Sequence, residues 1–301
     1  MMTSPHIPQP EERAVLLLRL AGPLQSWGSR SAFNRRETGS EPTKSGVIGL
    51  LAAASGRARE DPLDDFLHLR LGIRVDQPGT LLRDYHTVSD YRGRPLPQAG
   101  VNAKGIQKPT SPAKNTHVTV RYYLQDAVFV AAVAGPRPLL GTLDRALRAP
   151  AFPLALGRRS CPPTQPLSLG VRDGDIEEVL REVPWQASRR AREQYASQRG
   201  RERGLGRPLH PARLDRAVTV EDPAGNDVLH DAPVSFHPHS RAFTGRRVRH
   251  DWLSIPTGFP GLPGSPGSPG FPGFPGTGTD DDRSTGPDAD AGHDPFALLG
   301  W

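Results

Sequence analysis

Two short apolar runs set the architecture open to this chain. Residues 127–134, AVFVAAVA, form the stronger; residues 14–20, AVLLLRL, form the other and stop at Gly22-Pro23. Both read as buried strands, because so short a run bounded by turn residues has no room for a helix of useful length. Neither approaches the ~18 consecutive apolar residues of a membrane-spanning helix. The segments around them alternate in type. PTKSGVIGLLAAASG at 42–56 reads as a helix: Thr43 or Ser45 caps it, Pro42 suits its entry, Val47, Ile48, Leu50 and Leu51 propagate it, and Gly56 stops it. Residues 69–75 are a second strand, closed by Gln77-Pro78-Gly79. Residues 139–147 are a short amphipathic helix ended before Pro150, and the Arg-rich turn LGRRSCPP leads into a further strand.

Residues 81–91 and 116–123 have strand character, with Val118, Val120 and Tyr122 alternating onto one face. The polar, Gly-, Pro- and Lys-rich stretch between them makes 81–122 a protruding hairpin. The order β-α-β-hairpin-β-α-β is that of a ferredoxin-like (RRM-like) domain over 14–173, an α+β class. A helix near 175–182 and strands near 217–221, 228–236 and 246–255 suggest a small, mainly β C-terminal domain over 174–255. Within it, 188–216 carries nine Arg and too few apolar residues for a core, so it reads as a loop or an exposed segment. Residues 1–13 read as a disordered N-terminus. From Pro256 to Gly276, Gly and Pro supply 14 of 21 residues, which makes 256–301 a disordered tail that begins as a polyproline-II linker.

Charge divides along the same boundary. The 301-residue chain has 38 basic and 32 acidic side chains, a net of +6. The tail 256–301 holds one Arg and six Asp, a net of −5, so residues 1–255 carry 37 basic against 26 acidic groups, a net of +11. A basic body fits a polyanionic partner. Arg outnumbers Lys 34 to 4, which is also what ordinary solvated surface in an Arg-biased chain looks like. That bias does not explain why Lys104, Lys108 and Lys114 cluster within eleven residues of the hairpin, where the net charge over 81–122 is +5. The single cysteine, Cys161, excludes an intramolecular disulfide. An acidic, Pro-rich start before the first apolar run reverses the order of a signal peptide, so a cytoplasmic protein with no membrane partner is expected.

Several motifs point to chemistry, each beside a plainer reading. PTKSG lacks the glycines of a Walker A loop. Lys44, Ser45 and Gly46 at a helix start still form an anion site, or else an ordinary capped helix. In QSWGSRSAFNRR, Gln25, Trp27 and Phe33 interleave with Arg30, Arg35 and Arg36. Such a loop suits stacking and phosphate contact with single-stranded RNA, unless the aromatic rings are core. His86, His117, Tyr85, Tyr122 and Lys114 supply the residue types of a metal-independent ribonuclease. Cys161, beside Arg158 and Arg159, has no partnered His and reads as a small buried thiol. His237 and His239 lack metal-site companions, so no metal and no cofactor is expected.

LRLAGPLQSWG at 18–28, PTKSGVIGLLAAASG at 42–56, LRLGIRVDQPGTLLRDYHT at 69–87, VRYYLQDAVFV at 120–130 and LGRRSCPP at 156–163 together resemble the fifth Cas family of repeat-associated RNA-binding proteins, in its type I-E branch. The resemblance implies a modified ferredoxin-like domain whose hairpin is a thumb. It implies a subunit that caps the CRISPR surveillance complex Cascade by gripping the 5′ handle of the CRISPR RNA. Its partners would be the backbone and large subunits, with target DNA reached only indirectly through the complex. It also implies no catalysis, although the type I-C branch cuts repeat RNA and leaves a metal-independent endoribonuclease as the alternative. On this reading Lys44, Ser45 and Gly46 hold a handle phosphate with Arg35 and Arg36, and Gln25 and Trp27 lie beside handle bases. Arg83, His86, Lys104, Lys108, Lys114 and Arg121 make the thumb's contacts, and Arg158 and Arg159 add a second backbone contact. The 188–216 stretch and the tail have no counterpart in the family pattern.

Overall fold

The structure, a computed structural model, describes residues 13–28, 34–90 and 115–259. The expectations for residues 1–12, for the hairpin tip with Lys104, Lys108 and Lys114, for Arg30 and Phe33, and for the tail beyond 259 lie outside these residues. The chain divides into a unit of Met1–Pro260, which holds every described residue, and a second unit of Gly261–Trp301.

In chain order the elements are β1 (Arg13–Ala21), β2 (Leu24–Gln25), β3 (Arg35–Arg36), α1 (Lys44–Ala54), α2 (Asp64–Leu67), β4 (Arg70–Gln77), β5 (Thr80–Asp90), β6 (Asn115–Gln125), β7 (Val128–Pro136) and α3 (Arg137–Arg148). There follow β8 (Ser168–Asp173), α4 (Ile176–Glu182), α5 (Arg189–Glu202), β9 (Arg213–Glu221), β10 (Asp227–Ser235) and β11 (Ala242–Pro256). Seven strands form one antiparallel sheet in the order β10-β11-β9-β4-β7-β1-β8. A second sheet is built on β6, which pairs along its length with β5 and along its other edge with β2 and β3.

The apolar runs become central strands because the large sheet is covered on both faces. Leu16, Leu18 and Leu20 of β1, with Phe129, Ala131 and Val133 of β7, pack beneath α1 and α3. Val15 and Leu17, with Val130 and Ala132, face the opposite way into a second core under α4 and the Trp185 segment. A strand buried on both faces has no wet side to alternate toward.

A domain boundary at 173–174 is not where the sheet ends. β9 hydrogen-bonds to β4 at Gly72↔Val220, Ile73↔Thr219 and Arg74↔Val218, so β9, β11 and β10 widen the same sheet. The union is fastened by a buried ion pair that the alternation of β4 conceals. Arg74 Nε lies 2.6 Å from Asp76 Oδ1, with both side chains fully buried. Arg74 also donates to the carbonyls of Leu180, Val183 and Pro184, and Asp76 accepts from the Gln186 backbone N–H at 2.5 Å.

The Arg-rich stretch expected as a loop contains a fourteen-residue helix, α5. Ser188 caps it by accepting from the Ala191 N–H, and Arg189–Glu193 and Arg199–Glu202 pair along its surface. Only Ala196 and Gly200 of α5 are buried. Arg, Glu, Gln and Ala are all good helix formers, so little apolar area is needed. Tyr195 anchors it edge-on to Trp185 at 5.3 Å. No helix among the described residues is long and apolar enough to cross a membrane.

Candidate nucleic-acid interface

The start of α1 does attract anions, but they are the protein's own. Lys44 is 5% exposed, and its Nζ lies 2.9 Å from both carboxylate oxygens of Glu221 on β9. The Lys44 backbone N–H donates to Asp231 Oδ2 at 2.7 Å, and Asp231 is itself held by Arg246, whose Nε approaches to 2.6 Å. The Gly46 N–H donates to the capping Thr43 hydroxyl at 3.2 Å. The Lys44 N–H and ammonium that this helix start would offer to a phosphate are thus satisfied by two carboxylates from the C-terminal strands, and the Gly46 N–H by the helix's own cap. The expectation that Lys44, Ser45 and Gly46 hold a handle phosphate is corrected for Lys44 and Gly46. Ser45, half-buried, keeps its hydroxyl 3.3 Å from that of Thr43.

Gln25 and Trp27 are also placed elsewhere than expected. Gln25 is fully buried, and its amide donates to the carbonyls of Leu20 and Ala127 at 3.0 and 2.7 Å. Its Oε1 accepts from the Trp27 indole N–H at 3.1 Å. Trp27 is 1% exposed and belongs to the core under α1. A Cβ at Gly46 would sit 2.8 Å from Trp27 Cε3, so the glycine of PTKSG makes room for this ring. Both side chains position the loop rather than stack on bases.

The exposed cations and rings meet on the β5–β6 pair. The register sets Arg83 opposite Tyr122 and Tyr85 opposite Val120, while β3 lies on the far side with Arg35 beside Val120. Directly paired residues share a face, so Arg83, Tyr85, Tyr122 and Arg35 occupy one surface. Tyr85 is 63% exposed and Leu81 64%, and the Arg35 guanidinium lies 5.3 Å from the Tyr122 ring centre. Arg35 also pairs with Glu37 at 2.8 Å. The same arrangement puts Arg36, Arg121 and Asp84 in one row on the reverse face. Arg121 is half-buried, its Nε without a hydrogen-bond partner among the described residues.

Arg158 holds this assembly together. It donates to the Tyr122 carbonyl at 3.0 Å and to those of Arg36 and Glu37 at 2.8 and 3.2 Å, and it stacks over Tyr123 at 4.9 Å. The turn that presents it needs Gly157, whose φ is +88° and whose Cβ would collide with the Ser26 carbonyl. The expected backbone contact at Arg158 is therefore a structural staple. Arg159 beside it is exposed, with no partner among the described residues.

Among the described residues, the candidates of the ribonuclease alternative divide between the two faces of the β5–β6 pair. Tyr85 and Tyr122 share the face just described, whereas His86 lies on the reverse face opposite Thr119, its Nδ1 3.5 Å from that hydroxyl. Position 117 pairs with position 88, and Lys114 lies outside the described residues. Cys161 is buried in the core beside Leu156, and desolvation pushes its thiol above the ordinary range. Among the described residues no group of three or more His, Cys, Asp or Glu is placed to hold a metal ion.

Residues 15–249 match the family model described as CRISPR-associated protein (Cas_Cas5), and the protein belongs to this family. Among its relatives, the CRISPR system Cascade subunit CasD of Escherichia coli (strain K12) is 36% identical over 178 residues, which cover 52% of this chain and 71% of that protein. A chain of a CRISPR RNA-guided surveillance complex superposes with a TM-score of 0.59 at 36% identity, covering 80% of this chain and 91% of the other. The crystal structure of a Cas protein does so with a TM-score of 0.56 at 34% identity, covering 80% and 97%.

Proposed function

We propose that this protein is a non-catalytic subunit of a Cascade-type CRISPR surveillance complex, and that it holds the 5′ handle of the CRISPR RNA on the β5–β6 pair. The observation that carries this reading is the exposed face of Arg83, Tyr85, Tyr122 and Arg35. Two guanidinium groups and two phenol rings on one surface are what unstacked RNA requires: charge for phosphates and π-faces for splayed bases. Membership of the family and the likeness to a chain of a surveillance complex support the setting. The order β4-β7-β1-β8, with α1 and α3 on one face, supports a ferredoxin-like domain whose β5–β6 hairpin acts as the thumb. Separation of Tyr85 and Tyr122 from His86 across the hairpin favours binding over cleavage, since acid, base and phosphorane cation must meet at one phosphate.

The test is a mobility shift of handle RNA against a scrambled RNA, without divalent metal, with the same samples run on a denaturing gel. The wild type is expected to prefer the handle and leave it intact. Tyr85→Ala combined with Arg83→Ala should weaken binding by roughly tenfold or more, in line with about 1–3 kcal/mol per lost stacked base. Equal affinity for both RNAs, alone and with backbone subunits, would reject handle recognition. A discrete cut that is lost in His86→Ala would instead support the endoribonuclease.

A further inference from the structure

Part of the handle face proposed above stands on a strand of only two residues. β3 runs parallel to β6 at Arg35↔Val120 and Arg36↔Arg121, and there the ladder ends. Just past it lies the guanidinium group of Arg158. Its Nη1 donates to the Tyr122 carbonyl on β6 at 3.0 Å, and its Nη2 donates to the Arg36 and Glu37 carbonyls at 2.8 and 3.2 Å. One planar group thus bridges β6 and the chain leaving β3, where a further rung would fall. The turn that presents it is fixed on its own account. The Ser26 N–H donates to the Leu156 carbonyl at 3.1 Å, and the Cys161 N–H to the Arg158 carbonyl at 2.9 Å. Arg158 Cζ also lies 4.9 Å from the centre of the Tyr123 ring.

Two routes lead from Arg158 to Arg35. Glu37, whose carbonyl Arg158 holds, pairs through its carboxylate with Arg35 Nε at 2.8 Å. Tyr122, whose carbonyl Arg158 also holds, carries the ring that the Arg35 guanidinium covers at 5.3 Å. We infer that Arg158 is a positioning residue for the handle: without touching RNA, it fixes Arg35 against Tyr122 before RNA arrives. This rests on the reading of that face given above. Arg35 is otherwise a long, exposed side chain, and a ligand that must order such a chain loses affinity in doing so. Lysine cannot take over the task at 158. Arginine's planar fork meets carbonyls of two segments at once, whereas an ammonium is a point charge on a flexible stem. A phosphate contact at 158, by contrast, needs chiefly the charge.

The experiment measures the affinity of the full-length protein for handle RNA and for scrambled RNA by fluorescence anisotropy. Arg158→Lys and Arg158→Met should each weaken handle binding by roughly three- to tenfold, in line with the ordering of one or two side chains. Added to Arg35→Gln, the same changes should cost less than about twofold more, since residues acting through one another are not additive. Added to Arg83→Gln they should cost their full amount, because β5 and β3 flank opposite edges of β6. Hydrogen exchange at Val120, whose N–H donates to the Asn34 carbonyl at 2.7 Å, gives a readout free of RNA. It should rise in both Arg158 variants and stay unchanged in Arg35→Gln. Wild-type binding by Arg158→Lys would mean that charge alone matters. Equal losses in the Arg35→Gln and Arg83→Gln backgrounds would mean a separate contact or a general loss of structure. Unchanged exchange at Val120 would show that β3 does not depend on Arg158. Each of these three results overturns the inference, and if Arg158→Met fails to fold, Arg158→Lys carries the same comparisons. A wild type indifferent to handle sequence would instead reject the handle reading, and exchange at Val120 would still decide whether Arg158 fixes β3.

Discussion

At the residue scale, side chains singled out for ligand chemistry turn out to satisfy one another, and the energetic stakes follow. Lys44 and Glu221 are both largely out of water, so removing one leaves the other charged and buried. Lys44→Met or Glu221→Gln alone should cost about 3–5 kcal/mol in urea unfolding, and the double replacement by apolar residues should recover much of that loss. Handle binding by the folded fraction of Lys44→Met should match the wild type, whereas a phosphate ligand at this position would give a folded protein with weakened binding. Cys161 gives a second test. Because desolvation raises its thiol pKa, the reactive thiolate is scarce at neutral pH. Alkylation should be slow in the native protein, accelerate only well above neutral pH, and become fast in denaturant; fast native labelling at neutral pH would contradict its burial. The sequence shows the cation and helix start of PTKSG, but not that carboxylates of the same chain occupy them, and it shows Trp27 among arginines where the fold buries the ring in the core. A single chain read in order cannot say that the anions come from positions 221 and 231.

At the element scale, legibility tracked how local the stabilising interactions are. α4 shows itself in the spacing of Asp175 and Glu178, a reciprocal capping box, followed by Ile176, Val179 and Leu180 on its buried side. β1 and β7 were legible as apolar runs. α5 was not, because its apolar content is low and its support is a cap, ion pairs and one tyrosine packed on a distant tryptophan. The alternation of β4 misleads in the same manner: Arg74 and Asp76 occupy the positions of a wet face, yet α4 and the Trp185 segment cover them. The support of α5 can be measured. Ser188→Ala removes the hydroxyl that accepts the Ala191 N–H and should destabilise by about 0.5–2 kcal/mol, while Ser188→Asp should restore the cap. Hydrogen exchange at the first turn of α5 should rise in the alanine variant and return in the aspartate variant. An unchanged exchange pattern would mean that the helix start is held by packing alone.

At the scale of the whole molecule, the sheet makes one folding unit of what reads as two domains. Read in sequence, residues 14–173 give a complete ferredoxin-like order and look self-sufficient. The structure gives three reasons why they are not. Without β9, the edge of β4 from Gly72 to Arg74 loses its partners and becomes an open pairing edge. Without α4 and the Trp185 segment, Val15, Leu17, Val130 and Ala132 lose their cover, and the Arg74–Asp76 pair is stripped of its backbone acceptors and donors. Without Glu221 and Asp231, Lys44 is left unpaired against the core of α1. Each loss is of the kind that costs several kcal/mol, against a total stability of about 5–15 kcal/mol for a typical domain. Expression of residues 1–173 should therefore yield aggregated or molten protein by size exclusion and near-ultraviolet circular dichroism, and residues 1–260 should unfold in one cooperative transition. A monomeric 1–173 fragment with its own cooperative transition would show that the added strands are an attachment to a finished domain. The expected result makes them its other half, because one sheet and one buried ion pair run through both.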